Sequence, residues 1–226
     1  MNDSRTGSGL VVGAGGIGSA LARQLGARLP VTIWSRQNGV DPTEEASVVP
    51  VASALPDNLA YVFVTTGMLQ DDRQRPERSM RELDPETLAR SFAINTIAPA
   101  IIAKHTLPRL PRDQRSVFAI LGARVGSIGD NRTGGWHGYR ASKAALAMLV
   151  RTLSIELKRT HPQALCVLLH PGTVDTPMSK PFQGNVAPDK LFTADFAAER
   201  LIAVVDALTP ADSGSHFAWD GAPITP

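Results

Sequence analysis

A chain of 226 residues, 43% hydrophobic and 5% aromatic, with 19 Gly and 17 Pro, can bury one sizeable core and fits neither a disordered nor a fibrous protein. Lys and Arg number 23 against 21 Asp and Glu, a net charge of +2 that argues against a nucleic-acid binder. Charge-free runs such as Ala46–Pro56 and Asn58–Gln70 carry Pro, Gly or Asn, and no charge-free run in the chain reaches the roughly 20 apolar residues of a membrane helix.

Met1 to Gly9 is polar and rich in Gly and Ser, and residues 1–8 read as a loose N-terminus. Leu10-Val11-Val12 predicts a short strand closed by Gly13, and Gly16 to Leu29 has helical spacing through Ile17, Leu21 and Leu25. Val31–Trp34, Ser47–Val51 and Ala60–Thr65 predict three more strands, joined by connections too short for long helices. Arg73, Arg75, Arg78 and Arg81, interleaved with Asp71, Asp72, Glu77 and Glu82, read as a solvated loop. Asp84-Pro85-Glu86 opens a helix, with Asp as cap and Pro at the first helical position, running to about Leu107. There follow a strand at Ser116–Leu121, a helix at Tyr139–Arg159, a strand at Ala164–His170, a helix at Thr193–Leu208 and a strand at Ser215–Trp219.

Near-continuous apolar strands alternating with helices predict a single α/β domain over 1–226: a doubly wound parallel sheet of about seven strands, covered by helices on both faces. The lone Cys166 lies in an apolar run and can form no internal disulfide. With no apolar leader near Met1, a cytoplasmic location is expected.

Gly13-Ala14-Gly15-Gly16-Ile17-Gly18 follows the first strand and opens the first helix. Gly13 permits a tight turn, Gly15 lets the backbone approach a pyrophosphate, and Gly18 lets helix and strand pack closely; the helix N-terminus offers N–H groups to phosphates. A glycine-rich turn without a ligand is the alternative. After the second strand stand Ser35 and Arg36, with no carboxylate until Asp41. Ser and Arg accommodate a 2′-phosphate that a carboxylate would repel, so NADP(H) is expected over NAD(H).

Tyr139 and Lys143 are four apart and share a helical face. A free phenol titrates at about pH 10; a cation beside it would favour the phenolate and fit it for proton transfer to a carbonyl or from an alcohol. Asn95 precedes Pro99 by four, so its carbonyl lacks the usual helical N–H partner.

Tyr139-x-x-x-Lys143, with the glycine turn and the strand order, resembles the short-chain dehydrogenase/reductase family over essentially the whole chain. The stretch 126–139 is similar to a short subgroup of C-factor-like proteins, which range from reductases to a signalling protein. The resemblance implies a Rossmann fold, hydride transfer between a nicotinamide and a small carbonyl or secondary alcohol, and a homodimer or homotetramer through the long helices. It implies Tyr139 as acid/base, Lys143 on the nicotinamide ribose, and Asn95 holding a proton-relay water. His170-Pro171-Gly172-Thr173-Val174-Asp175-Thr176-Pro177 is similar to the family's nicotinamide-contacting segment, implying roles for Pro171, Gly172, Val174 and Thr176.

Three departures stand out. The glycine turn is one residue shorter than usual. Asn-Ala-Gly reads Thr65-Thr66-Gly67, leaving Thr65 and Gly67 for the adenosine side. The substrate-orienting serine at the end of the Ser116–Leu121 strand is replaced by Gly122-Ala123, and Ser127 is the nearest stand-in. A dinucleotide-binding regulatory or signalling protein with vestigial catalysis is therefore the second reading. The loops 68–81 and 178–191 are expected to line the substrate, with Phe182 and Phe192 as an apolar wall. Neither His137 nor His170 has metal-ligand spacing around it.

Overall fold

A computed structural model describes residues 7–226. Most of the expected loose start therefore lies outside the described residues; Ser8 and Gly9, by contrast, belong to the first strand. In chain order the elements are β1 (Ser8–Val12), α1 (Gly16–Gly26), β2 (Val31–Trp34), α2 (Glu45–Ser53), β3 (Leu59–Val64), α3 (Pro85–Phe92), α4 (Ala98–Thr106), β4 (Ser116–Leu121) and α5 (His137–Thr160). Then come β5 (Ala164–His170), β6 (Thr173–Val174), β7 (Leu191–Phe192), α6 (Ala194–Ala207) and β8 (His216–Ala218).

The apolar runs pair as one parallel sheet in the order β2-β1-β3-β4-β5-β8, while β6 and β7 form a small separate parallel ribbon. From β1 the chain first extends the sheet to one side through β2, then crosses back to β3 on the other. That reversal opens a crevice above the carboxyl ends of β1 and β3. Alternate residues of each strand feed two cores. Val11, Phe63, Val117 and Val167 pack against Leu21, Leu25 and Leu201 of α1 and α6. Leu10, Val62, Phe118 and Cys166 pack against Val48, Ile102, Leu146 and Val150 of α2, α4 and α5.

The sheet has six strands rather than about seven, because 47–51 is helical. Val48 and Ala52, four apart, are buried, whereas Val49 faces solvent. That is the period of a helix, hidden in the sequence by three valines and Pro50. Glu45 ties α2 to α4, meeting Lys104 Nζ and His105 Nε2 at 2.7 Å each. The helix expected from Pro85 to Leu107 is interrupted by a π-turn at Ala93–Ile97, where the Ala98 N–H reaches back to the Ala93 carbonyl. Pro99 is the cause: it has no N–H for Asn95 and forces the ladder to shift by a residue.

Both sheet edges are short. Strand β2 has four residues, and β8 has three, with Pro223 bridging Phe217 and the Ile224 N–H donating to His216 O. Among the described residues no helix is long and apolar enough to cross a membrane.

Candidate active site

The glycine turn sits at the crevice. Gly13 has φ +108°, and its N–H donates to Trp34 O at 2.7 Å. A Cβ on Gly13 would lie 2.4 Å from Thr65 Oγ1, and one on Gly18 would lie 2.0 Å from Gly13 O, so both glycines are demanded by the fold itself. Gly15 differs. It is exposed with φ −73°, and a Cβ there would meet nothing within 4 Å. The open space it leaves lies directly before the first turn of α1, which has no side-chain cap and no acidic residue. An uncapped helix N-terminus with open space before it fits a phosphate group. Gly16 faces Thr176, whose Cγ2 would be 3.1 Å from its Cβ, and Thr65 Oγ1 donates to Val12 O, closing the floor between β1 and β3.

Ser35 and the exposed Arg36 follow β2 beside this turn; Ser35 N–H donates to Asn38 Oδ1, fixing the bend, and Arg36 begins a short 3₁₀ turn. The contact of Gly16 with Thr176 brings the glycine turn and the Thr173–Thr176 segment to one rim. Val174 is buried, Gly172 has φ +76°, and a Cβ on Gly172 would strike Phe192 Cε2 at 2.6 Å.

Tyr139 and Lys143 stand one turn apart on α5, with Lys143 Nζ 5.9 Å from the Tyr139 ring centroid. Lys143 is buried, and its Nζ donates to Leu121 O at 2.9 Å, at the carboxyl end of β4. A Cβ on Gly67 would be 3.4 Å from Lys143 Nζ and 3.5 Å from Asn95 Oδ1, which places all three residues together. Asn95 is fully buried: Oδ1 accepts from Met68 N–H at 2.8 Å, and Nδ2 donates to Met68 O and to Ser142 Oγ. Ser142 Oγ in turn donates to Tyr139 O, so Asn95, Ser142 and Tyr139 form one polar chain.

Burial pushes the Tyr139 phenol up to about 12 and pulls the Lys143 ammonium down to about 8. The phenol lowered by a neighbouring cation, expected from the sequence, is not what the protein alone provides. The ammonium gives one of its three hydrogen bonds to the Leu121 carbonyl, and desolvation governs both groups.

Gly122 is as much a matter of space as of a lost hydroxyl. A Cβ there would lie 2.5 Å from Leu168 Cγ and 3.0 Å from His216 Nε2. Ser127 is buried, but its oxygen accepts from Asp130 N–H at 3.1 Å and its hydroxyl donates to Pro226 O at 3.5 Å. Its hydrogen bonds close a turn.

His170 and His216 flank the same corner. Burial lowers each from 6.5 to about 4, with Arg124 adding to both. Of the expected apolar wall, Phe182 packs on Trp136 (centroids 5.1 Å apart) and Trp136 on Tyr139, at 6.3 Å. Phe192 joins Phe196 and Trp219 instead. Arg73, Arg75, Arg78 and Arg81 are exposed as expected, but Glu77 between them is buried against α5. Sequence reasoning missed Ser142, Trp136, Glu77 and His216. Only Ser142 had a signal, lying three residues from Tyr139 on its helix.

Residues 41–186 match the short chain dehydrogenase family model. The chain is 34% identical to a 1-hydroxy-2-glutathionyl-2-methyl-3-butene dehydrogenase of Rhodococcus sp. (strain AD45), covering 94% of this chain and 96% of that one. It is 35% identical to the C-signal protein of Myxococcus xanthus over 65% of this chain and 82% of that one. Among solved structures it is similar to an NADPH-bound carbonyl reductase from chicken fatty liver, with TM-score 0.80, 23% identity, and 96% and 98% of the two chains covered. The carbonyl reductase Sniffer of D. melanogaster gives TM-score 0.78 and 22% identity, over 97% of this chain and 99% of that one.

Proposed function

The chain belongs to the short chain dehydrogenases, oxidoreductases of CH–OH and C=O groups, and on that premise we propose that it uses NADP(H) to interconvert a small carbonyl compound and its secondary alcohol, with Tyr139 as acid/base. The observation that carries this reading is the gathering of Tyr139, Lys143, Asn95 and Gly67 at the carboxyl ends of β3 and β4, beside the glycine turn. Bound there, the nicotinamide supplies the hydride donor or acceptor.

The chain's residues do the rest. The first turn of α1, opened by Gly15, holds the pyrophosphate, while Ser35 and Arg36 take the 2′-phosphate. Thr65, against the glycine turn, borders the adenosine side, and Gly67 leads from it to Lys143; Pro171, Gly172, Val174 and Thr176 border the nicotinamide end. During reduction Tyr139 gives its phenolic proton to the substrate's carbonyl oxygen; during oxidation it takes the proton of the alcohol. Lys143 binds the ribose and supplies the nearest positive charge, and Asn95 holds Met68 and Ser142 around it.

The buried, unpaired-by-disulfide Cys166 supports a reducing, cytoplasmic setting. Exposed Met148 and Ile155, seven apart on α5, support pairing of copies through that helix.

NADPH oxidation across a panel of aldehydes and ketones tests the activity, alongside NADPH fluorescence for binding. Turnover that disappears in Tyr139→Phe while binding persists supports the enzyme. Binding without turnover on any substrate would favour a dinucleotide-responsive regulator, the reading that Gly122-Ala123 motivates.

A further inference from the structure

The first two turns of α5 carry Tyr139 and Lys143, yet the helix begins without a capping side chain of its own. The residue before it, Trp136, offers no side-chain cap, and the first turn contains no acidic residue. Trp136 also has φ +52°, reached after two glycines at φ +62° and +67°. For a bulky residue that backbone is unfavourable and persists only where its surroundings impose it.

Glu77 imposes it. Although it lies in an Arg-rich loop 61 residues upstream, it is only 6% exposed. Its carboxylate accepts the Gly138 N–H, at 3.1 Å to Oε2 and 3.3 Å to Oε1, and its main-chain oxygen accepts the Trp136 N–H. One residue thus grips the chain on both sides of His137, at the entry to the helix. Gly138 is shaped to this grip: a Cβ there would lie 2.9 Å from Glu77 Oε1 and 3.1 Å from Ser91 Oγ. The loop itself is anchored to α3 through the Asp71–Arg90 ion pair and the Gln74–Ser91 hydrogen bond. Downstream, the Trp136 ring meets Tyr139 edge-on at 72° and Phe182 at 65°.

We propose that Glu77 is a positioning residue for Tyr139: by accepting the N–H groups that frame the start of α5, it fixes the αL turn at Trp136 and with it the direction of the phenol. The carboxylate also supplies the negative charge that the amino end of a helix favours. This inference rests on the acid/base reading of Tyr139, so its test includes a measurement that needs no turnover.

The chain has two tyrosines, Tyr61 and Tyr139, so full-length protein labelled with 3-fluorotyrosine gives two ¹⁹F resonances, assigned by Tyr139→Phe. Glu77→Met removes the acceptor at similar size, and Glu77→Gln keeps one acceptor oxygen. In Glu77→Met we expect an unchanged Tyr61 resonance and unchanged NADPH binding, a displaced or broadened Tyr139 resonance, and kcat lower by about tenfold or more. Glu77→Gln recovers most of both. Gly138→Ala, whose methyl takes the carboxylate's place, displaces the same resonance by an independent route. A Tyr139 resonance that stays put in folded Glu77→Met, or in Gly138→Ala where Glu77→Met does not fold, overturns the proposal. So does a kcat loss that only follows a loss of NADPH binding. A parent protein that turns over no carbonyl compound refutes the acid/base reading alone, and the fluorine spectra then decide on Glu77.

Discussion

Lys143 Nζ donates to the carbonyl of Leu121 at 2.9 Å, joining the second turn of one helix to the end of a sheet strand. The bond holds a buried ammonium over the Tyr139 ring, where burial has already cut its proton affinity to about 8. Near neutral pH the lysine stays charged and the phenol stays protonated, the pairing a reductase needs at the start of its cycle. Tyr139→Phe removes the transferable proton and leaves the ring packing. Turnover should disappear and NADPH fluorescence enhancement should persist; a variant with parental kcat would refute the role.

Gly15 and Gly18 should respond in opposite ways. Gly15→Ala meets open space at an ordinary φ, so thermal stability should hold or rise by ~0.4–1 kcal/mol while dinucleotide binding falls. Gly18→Ala drives a methyl into Gly13 O and should cost about 1–3 kcal/mol or more. Urea unfolding with and without NADPH separates the two; equal destabilisation would mean that Gly15 is structural.

Arg36 is the exposed cation at the end of β2, beside the glycine turn. Arg36→Asp should weaken NADPH far more than NADH, because only the former carries the phosphate that a carboxylate repels. Equal weakening in titrations of the two would remove the NADP(H) assignment.

Ser127→Ala tests whether the hydroxyl nearest the vacant serine position takes part in chemistry. Its hydrogen bonds go to Asp130 and Pro226, so the expected result is a loss of about 1 kcal/mol in stability and an unaltered kcat. A large fall in kcat alone would support Ser127 as the stand-in for the substrate-orienting serine.

His170 and His216 make stability depend on acid. Their folded values, near 4 against an ordinary 6.5, mean that the native state binds fewer protons than the unfolded chain between those limits. The stability they leave intact above pH 6.5 is therefore lost as pH falls toward 4. Arg124 and Lys143 face the pair as further positive charge, Asp220 as the opposing negative one. His216→Leu should lessen the drop in urea midpoint between about pH 7 and about pH 4.5; an undiminished drop would assign it to other groups.

What the sequence disclosed was what local spacing encodes. Gly13, Gly15 and Gly18 between a strand and a helix, and Tyr139 with Lys143 one turn on, need no partner to be read. Helix α2 escaped because Val48, Val49 and Val51 favour a strand in isolation, and only the opposite burial of Val48 and Val49 reveals the helix. Glu77 escaped because charge alternation describes a solvated segment unless one member turns inward. Asn95 was legible as a residue before Pro99, but its grip on Met68, 27 residues upstream, was not. Contacts between distant segments have no period to betray them.

The sheet stops after four residues on one side and behind a proline on the other. Neither margin offers a long row of unpaired N–H and C=O groups on which a strand from another molecule could add. Addition of a foreign strand at either side is limited to the three or four residues those outermost strands present.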